Sequence, residues 1–485
     1  MQKKDHCVFM NTSYRLKDRS KVCAMSGFIP KGMEETQRPL LYRGMKYWGK
    51  KPHNIWRELI IRNTSEKDIV YDPFAGSALT FFESIKAKRK PVVADINPLT
   101  LFMVELYSKR YDLDKIAVIA KRIIDKAKHL KLYKQEYLTK CSACGKLTDI
   151  FNYRVYENSL EKTYKCQCCG KTITEEVIKK QKSTQHVCSL NLWKPDCDLS
   201  NFASVSQGFI NAVGGANISN VWTTKNLELL SFIFNEINNC RSVEKDALMF
   251  GFLQTVHLTT KMCALRGKES NRPLSTSWGR PAYLGLKTFM EQNPILQFER
   301  SIYGKTGVIK CLESRNNYLP EYTYSTNLND INTVDGVVLL QDSKEITSGF
   351  KPSLVLTDPP YGDIIQYGEL SQIWNVWLEK YSSRYRISLE KEIIVNKHNC
   401  YDEYIKNMTV VLSNCRRLLY PDGTMIITFN SNKTVDWDSL NSAIKQSKMC
   451  LTESVKQKNK RSSEANVCDK TGIGITDFYL LLTKK

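Results

Sequence analysis

Between Asp68 and Asp95 the chain reads as strand, tight loop, helix and strand. Asp68-Ile69-Val70-Tyr71 and Pro91-Val92-Val93-Ala94 are short apolar runs, and Leu79 to Lys88 carries helical spacing. The loop between the first run and the helix is Asp72-Pro73-Phe74-Ala75-Gly76-Ser77-Ala78. Two strands joined through a helix make a βαβ unit, and such units build α/β sheets. Asp95 follows the loop at about 20 positions, the layout that sets a carboxylate against ribose hydroxyls. Gly76 lets the backbone approach a ligand where any Cβ would clash. A pyrophosphate-binding dinucleotide unit fits less well, because the acidic Asp72-Pro73-Phe74 repels a polyphosphate.

A second strand signal, Ser353-Leu354-Val355-Leu356, is too short for a helix and runs into Thr357-Asp358-Pro359-Pro360-Tyr361-Gly362-Asp363. Ligands of open α/β sheets bind at such carboxyl ends. The two prolines fix φ and lack N–H donors, so the Asp358 carboxylate and a neighbouring carbonyl form a two-acceptor clamp suited to an NH2 group. Tyr361 offers a flat face for a heterocycle. A plain proline turn is the competing reading.

The net charge of +21, from 71 Lys+Arg against 50 Asp+Glu, favours a polyanionic partner. No apolar run is long enough for a membrane span, and Met1-Gln2-Lys3-Lys4-Asp5-His6 leads into no apolar signal region. A cytoplasmic setting is therefore expected, with the 16 cysteines as thiols or metal ligands. Cys141-Ser142-Ala143-Cys144-Gly145 and Cys166-Gln167-Cys168-Cys169-Gly170 are paired turns around the strand-like Ile150 to Tyr156. They predict a four-cysteine zinc ribbon with Cys141, Cys144, Cys166 and Cys169 as ligands and Cys168 as bystander. His186, Cys188 and Cys197 lack the second pair a further site needs.

Elsewhere, Lys51-Pro52 stands before an amphipathic stretch, Ile55 to Ile60. A cation beside a helix N-terminus favours a carboxylate, although an ordinary loop is equally readable. Ile116, Ile119, Ile123 and Ile124 form a helical stripe with a basic opposite side. Residues 175–220 read as linker, Leu227 to Leu265 as two helices broken near Asn238-Asn239, and Arg266 to Pro273 as a basic loop. Tyr283, Phe289 and Phe298, interleaved with Arg280, Lys287 and Arg300, suit phosphates and unstacked bases, or inward packing. Gly336 to Leu340, Thr424 to Asn430 and Phe478 to Leu482 read as strands, Tyr401 to Leu419 as a long helix, and Lys456 to Arg461 as a basic loop.

The Asp358-Pro359-Pro360-Tyr361 turn, the Asp72 to Ala78 loop and Lys51-Pro52 resemble the catalytic, cofactor and flanking motifs of the amino-methyltransferases. With the paired knuckles, residues 40–485 resemble adenine-specific DNA methylases that contain a zinc ribbon. The resemblance implies a Rossmann-like methyltransferase sheet interrupted by a large insert. Residues 1–40 would be an extension, 41–112 the cofactor half, 113–330 an insert with the ribbon at 138–173 and a helical target-recognition region, and 331–485 the catalytic half.

The resemblance further implies S-adenosylmethionine as cofactor. Lys51 would border its methionine end, Asp72, Phe74 and Gly76 would form its loop, Asp95 would hold its ribose and Asp342 would lie near its adenine. Asp358, Pro359, Pro360 and Tyr361 would act on a base flipped from double-stranded DNA, with adenine N6 expected. Cytosine N4, guanine N2 in tRNA, and a decayed nucleic-acid-binding protein are the alternatives. A restriction or defence-system partner also belongs to the expectation. The departure is Ala78, where the family carries glycine.

Overall fold

The computed structural model describes residues 27–177, 189–265, 275, 282–458 and 476–485. Its strands in chain order are β1 (Ile69–Asp72), β2 (Lys90–Asp95), β3 (Leu138–Lys140), β4 (Leu147–Val155), β5 (Leu160–Lys165), β6 (Thr172–Glu176), β7 (Phe289–Gln292), β8 (Tyr324–Ser325), β9 (Gly336–Leu340), β10 (Leu354–Thr357), β11 (Thr424–Phe429), β12 (Met449–Lys458) and β13 (Thr476–Lys484).

Eight of these strands form one mixed sheet in the order β12-β13-β11-β10-β1-β2-β9-β8. Neighbours from β8 through β11 pair in parallel, whereas β13 runs antiparallel to both β11 and β12. The parallel strands are buried on both faces, which is why they read as unbroken apolar runs. Alternate residues serve two cores. Val70, Val93, Val338, Leu354 and Leu356 face one; Tyr71, Val92, Val337, Leu339, Val355 and Ile427 face the other. Helices His53–Asn63, Leu79–Lys86, Pro98–Ser108 and Tyr367–Tyr381 contribute to the first core, and Tyr401–Leu418 and Thr434–Gln446 to the second.

The chain leaves β1 toward β2 on one side, and β10 flanks β1 on the other. This reversal of strand order opens a crevice at the carboxyl ends of β1 and β10, where a parallel sheet binds ligands. Asp72, Asp95 and Asp358 all stand at or just beyond strand ends there.

Between the two halves of the sheet, β3 to β6 make an antiparallel ribbon. Strand β7 pairs with β4 and ties that ribbon to a helical body. The side chain of Asn293 caps helix Pro294–Tyr303 and donates to the Ile150 carbonyl at 2.9 Å. Helices Thr224–Asn238 and Lys245–Leu258 are separated at Asn239 to Glu244, at the break the Asn pair predicts. Trp377 packs against Trp193, Trp222, Phe234 and Phe252, and Trp374 donates to the Leu253 carbonyl at 2.9 Å. Helix Tyr367–Tyr381 therefore couples the crevice to the insert.

Two expectations change and one open alternative is decided. The 175–220 linker contains the end of β6, helix Gln207–Val213 and a 3-10 turn, Ile218–Val221, because Phe209, Val213, Ile218 and Val221 bury apolar side chains. The basic loop begins later than expected, since β12 runs through Lys458 on its pairing with β13. Of the two readings of Tyr283, Phe289 and Phe298, inward packing is the one found, since all three are buried. The Arg266 to Pro273 loop, Arg280, His186 and Cys188 lie outside the described residues.

Candidate active site and metal centre

The crevice encloses about 830 Å³ of space, counting its open mouth. Its wall includes Asp72, Phe74, Gly76, Asp95, Asp342, Lys51, Asp358 and Pro360, drawn from segments far apart in the chain. Of the residues expected at the site, Pro359 and Tyr361 do not line this space.

Asp72 is nearly inaccessible and is held by protein donors. Its Oδ1 accepts the Thr357 hydroxyl at 2.6 Å and the Phe74 N–H at 3.0 Å, and its Oδ2 accepts the Thr80 hydroxyl. Trp56 donates to the same threonine at 2.8 Å. Asp72 thus clips the β1 loop to the end of β10. Burial pushes its carboxyl up to about 7, against the lowering effect of the Thr357, Thr80 and Phe74 donors.

Gly76 has φ +50, and a Cβ there would stand 3.0 Å from the Tyr47 ring. Its N–H donates to Asp95 Oδ2 at 2.6 Å, while Asn97 N–H donates to Asp95 Oδ1 at 2.8 Å. Burial raises Asp95 to about 6 despite these donors. Ala78 has φ +60 and ψ 24, a left-handed conformation that strains an L residue. It does not line the crevice. The departure from glycine therefore costs backbone energy and leaves ligand space intact.

At the carboxyl end of β10, three groups meet Asp358 Oδ1, two as hydrogen-bond donors and one as an ion pair. They are the Thr428 hydroxyl at 2.6 Å, the Tyr361 hydroxyl, and the Lys51 ammonium at 3.2 Å. Oδ2 faces the backbone of Gly49, 3.9 Å from where a Cβ would lie. One oxygen is thus saturated by protein donors and the other turns toward the lip of the crevice. Burial raises the Asp358 carboxyl, opposed first by Lys51, with Asp477 adding to the rise. The Tyr361 ring leans on Phe429 at 4.7 Å between centroids, so part of the face expected to stack on a base is already covered.

Lys51 lines the crevice. Its ammonium donates to Tyr361 Oη at 2.8 Å and to Asp477 Oδ2 at 3.1 Å, and it pairs with Asp358 Oδ1 at 3.2 Å. The cation is therefore engaged by acceptors of the protein itself. Burial works against its charge, but Asp358 and then Asp477 outweigh it and hold the ammonium well above its ordinary range. Asp342 is buried, and its Oδ1 caps the following turn through Lys344 N–H at 2.9 Å.

Several lining residues carried no signal that singled them out. Tyr47 stacks on Tyr367 at 5.9 Å and 19° above the Gly76 loop. Glu392 accepts Gly368 N–H at 2.9 Å, and burial pushes it up to about 8. Thr428 could have been found, since it lies near the end of the strand beside β10. Asp477 could not, because only the reversed direction of β13 brings it to Lys51 behind the crevice.

In the ribbon, the Sγ atoms of Cys141, Cys144, Cys166 and Cys169 lie within 4.8 Å of one another. The Cys141–Cys169 and Cys144–Cys166 separations are 3.8 and 3.5 Å. Tetrahedral zinc with Zn–S near 2.3 Å requires sulfurs about 3.8 Å apart, so the four thiols fit a zinc ribbon. The two knuckles repeat one construction: Gly145 and Gly170, at φ +73 and +70, donate back to the Cys141 and Cys166 carbonyls. Cys168 is exposed and stands outside the cluster.

These features describe an α/β fold with a crevice at the strand ends, a half-buried carboxylate beside it and a four-cysteine cluster that fits a metal ion. Residues 353–478 match the family model N6_N4_Mtase, described as DNA methylase. That stretch holds the turn, the Thr428 strand and Asp477 itself. The match is confined to that stretch, and it supports methylation of an exocyclic base amine on DNA. No curated protein matches the chain. Among the described residues no helix is long and apolar enough to cross a membrane.

Proposed function

We propose that the enzyme methylates N6 of adenine in double-stranded DNA after flipping the base out of the helix, on a Rossmann-like sheet. The observation that carries this reading is the asymmetry of Asp358, with Oδ1 saturated and Oδ2 turned to the crevice lip. An exocyclic amine is a poor nucleophile because its lone pair is conjugated with the ring. Asp358 Oδ2 and the Pro359 carbonyl would accept its two hydrogens, turn the lone pair out of conjugation and offset the positive charge that develops on nitrogen. Pro360 keeps the turn rigid, and the exposed part of Tyr361 would meet the base.

S-adenosylmethionine, when bound, supplies an electrophilic methyl group. Its ribose would lie on Asp95 and its adenine near Asp342 and Phe74, with Gly76 allowing close backbone approach. Residues 41–112 and 331–485 would supply the cofactor and catalytic halves, and 113–330 the target-recognition insert. Zinc in the ribbon would supply structure. An aspartate opening the turn favours adenine over cytosine.

The test is methyl transfer from labelled S-adenosylmethionine to duplex DNA and to tRNA, followed by quantification of modified nucleosides. N6-methyladenine in DNA is expected. Asp358→Ala should abolish transfer while cofactor binding persists. N4-methylcytosine, or label confined to tRNA, would overturn the substrate assignment, and full activity in Asp358→Ala would remove the clamp.

A further inference from the structure

Asp477 is the second residue of β13, the last strand, and its carboxylate sits 3.1 Å from the Lys51 ammonium with both side chains nearly buried. The same ammonium touches Asp358 Oδ1. Two carboxylates therefore share one cation across three distant parts of the chain. The segment ahead of helix His53–Asn63 brings Lys51, the turn after β10 brings Asp358, and β13 brings Asp477. Around them stand Tyr361 and Thr428, both bonded to Asp358, with Tyr367 and Tyr479 facing the same charges.

A lysine that served only a ligand in the crevice would need no second carboxylate behind it. Burying a lone ammonium is costly, and Asp477 supplies the charge that keeps this one protonated where it stands. Anchored from that side, the ammonium bears on Asp358 Oδ1. It favours the ionised carboxylate and fixes the orientation that leaves Oδ2 outward.

We infer that Asp477 is a positioning residue for methyl transfer, acting through Lys51 on Asp358. The inference rests on the proposal that Asp358 grips the base amine. It reassigns Lys51 from the cofactor to the catalytic clamp.

A double-mutant cycle on the full chain tests it, with Lys51→Met, Asp477→Asn and the pair compared on duplex DNA at saturating S-adenosylmethionine. Each single variant should lower kcat by about tenfold or more, the scale of one charge-assisted hydrogen bond. Cofactor affinity by calorimetry should be unchanged. The double variant should be no slower than Lys51→Met, because Asp477 acts only through the lysine. In Lys51→Met the acid limb of the kcat profile should move to higher pH, since the cation that favoured ionised Asp358 is gone. Asp477→Glu should recover part of the loss.

Wild-type turnover in Asp477→Asn, or losses that simply add in the double variant, would overturn the inference. So would a loss of cofactor affinity that accounts for the slower rate, because Lys51 would then serve the cofactor. Should Asp477→Asn fail to melt cooperatively, Asp477→Ser is read in the same way. A wild-type protein that methylates no DNA overturns the parent proposal; an active wild type with an indifferent Asp477 overturns this inference alone.

Discussion

Thr428 Oγ1 donates to Asp358 Oδ1 at 2.6 Å, joining the ends of β11 and β10 beneath the crevice. The hydroxyl is fully buried and helps hold the carboxylate ionised against burial. Thr428→Val keeps the shape and removes the donor. Methyl transfer should fall by about tenfold, the scale of one hydrogen bond to a charged group, with cofactor affinity unchanged. Because a donor that lowered the Asp358 pKa has gone, the acid limb of the rate profile should move upward in pH. Steady-state kinetics across pH measures both.

Ala78 is the counter-case, a residue whose replacement should help. At φ +60 it occupies backbone space where glycine is at ease. Ala78→Gly should raise unfolding stability by about 1 kcal/mol, partly offset by the freer unfolded chain. Cofactor affinity should stay level, because the alanine methyl does not line the crevice. Denaturant melts and calorimetry on the same preparations test the two halves of the statement.

Asp72 makes a prediction about acidity. Its folded value, about 7, lies above the ordinary 3.8. The folded protein therefore holds a proton that the unfolded chain releases, and stability from this site is complete below about 3.8. It is lost as pH rises through about 7. Asp72→Asn should flatten the fall in Tm between those values. An unchanged slope would show that the neighbouring raised carboxyls, Glu83, Asp95 and Glu392, carry the effect without it.

For the metal centre the informative contrast lies within one knuckle. Cys166→Ser removes a ligand and Cys168→Ser a bystander. Mass spectrometry under native conditions should find one zinc per chain in wild type and Cys168→Ser, and none firmly held in Cys166→Ser. The ligand variant should also melt lower by about 1 to 2 degrees, the shift about 1 to 2 kcal/mol produces in a protein of this size.

What the chain discloses before folding follows a physical division. The strand-loop-helix-strand unit around Gly76, the turn at Asp358 and the two knuckles are set by residues adjacent in sequence, so their chemistry is legible in short windows. Lys51 shows the limit. A cation ahead of a helix suggests a carboxylate partner, and it has two, but both belong to the protein. Nothing near Lys51 in sequence points to Asp477, whose place depends on the direction of the final strand. Tyr283, Phe289 and Phe298 left two readings open for a related reason: basic neighbours in sequence do not reveal which way a ring points once helices pack.

The parallel pairing of β1 with β10 also bears on how the protein is made. Strand β1 ends at Asp72, and its neighbour begins only at Leu354. At roughly 5–20 residues per second on the ribosome, the nascent first half waits tens of seconds with one edge of its central strand unsatisfied. The four-cysteine ribbon and the helical body of the insert are synthesised within that interval, so metal capture by the cysteines would let the insert fold while the exposed edge is still waiting for its partner.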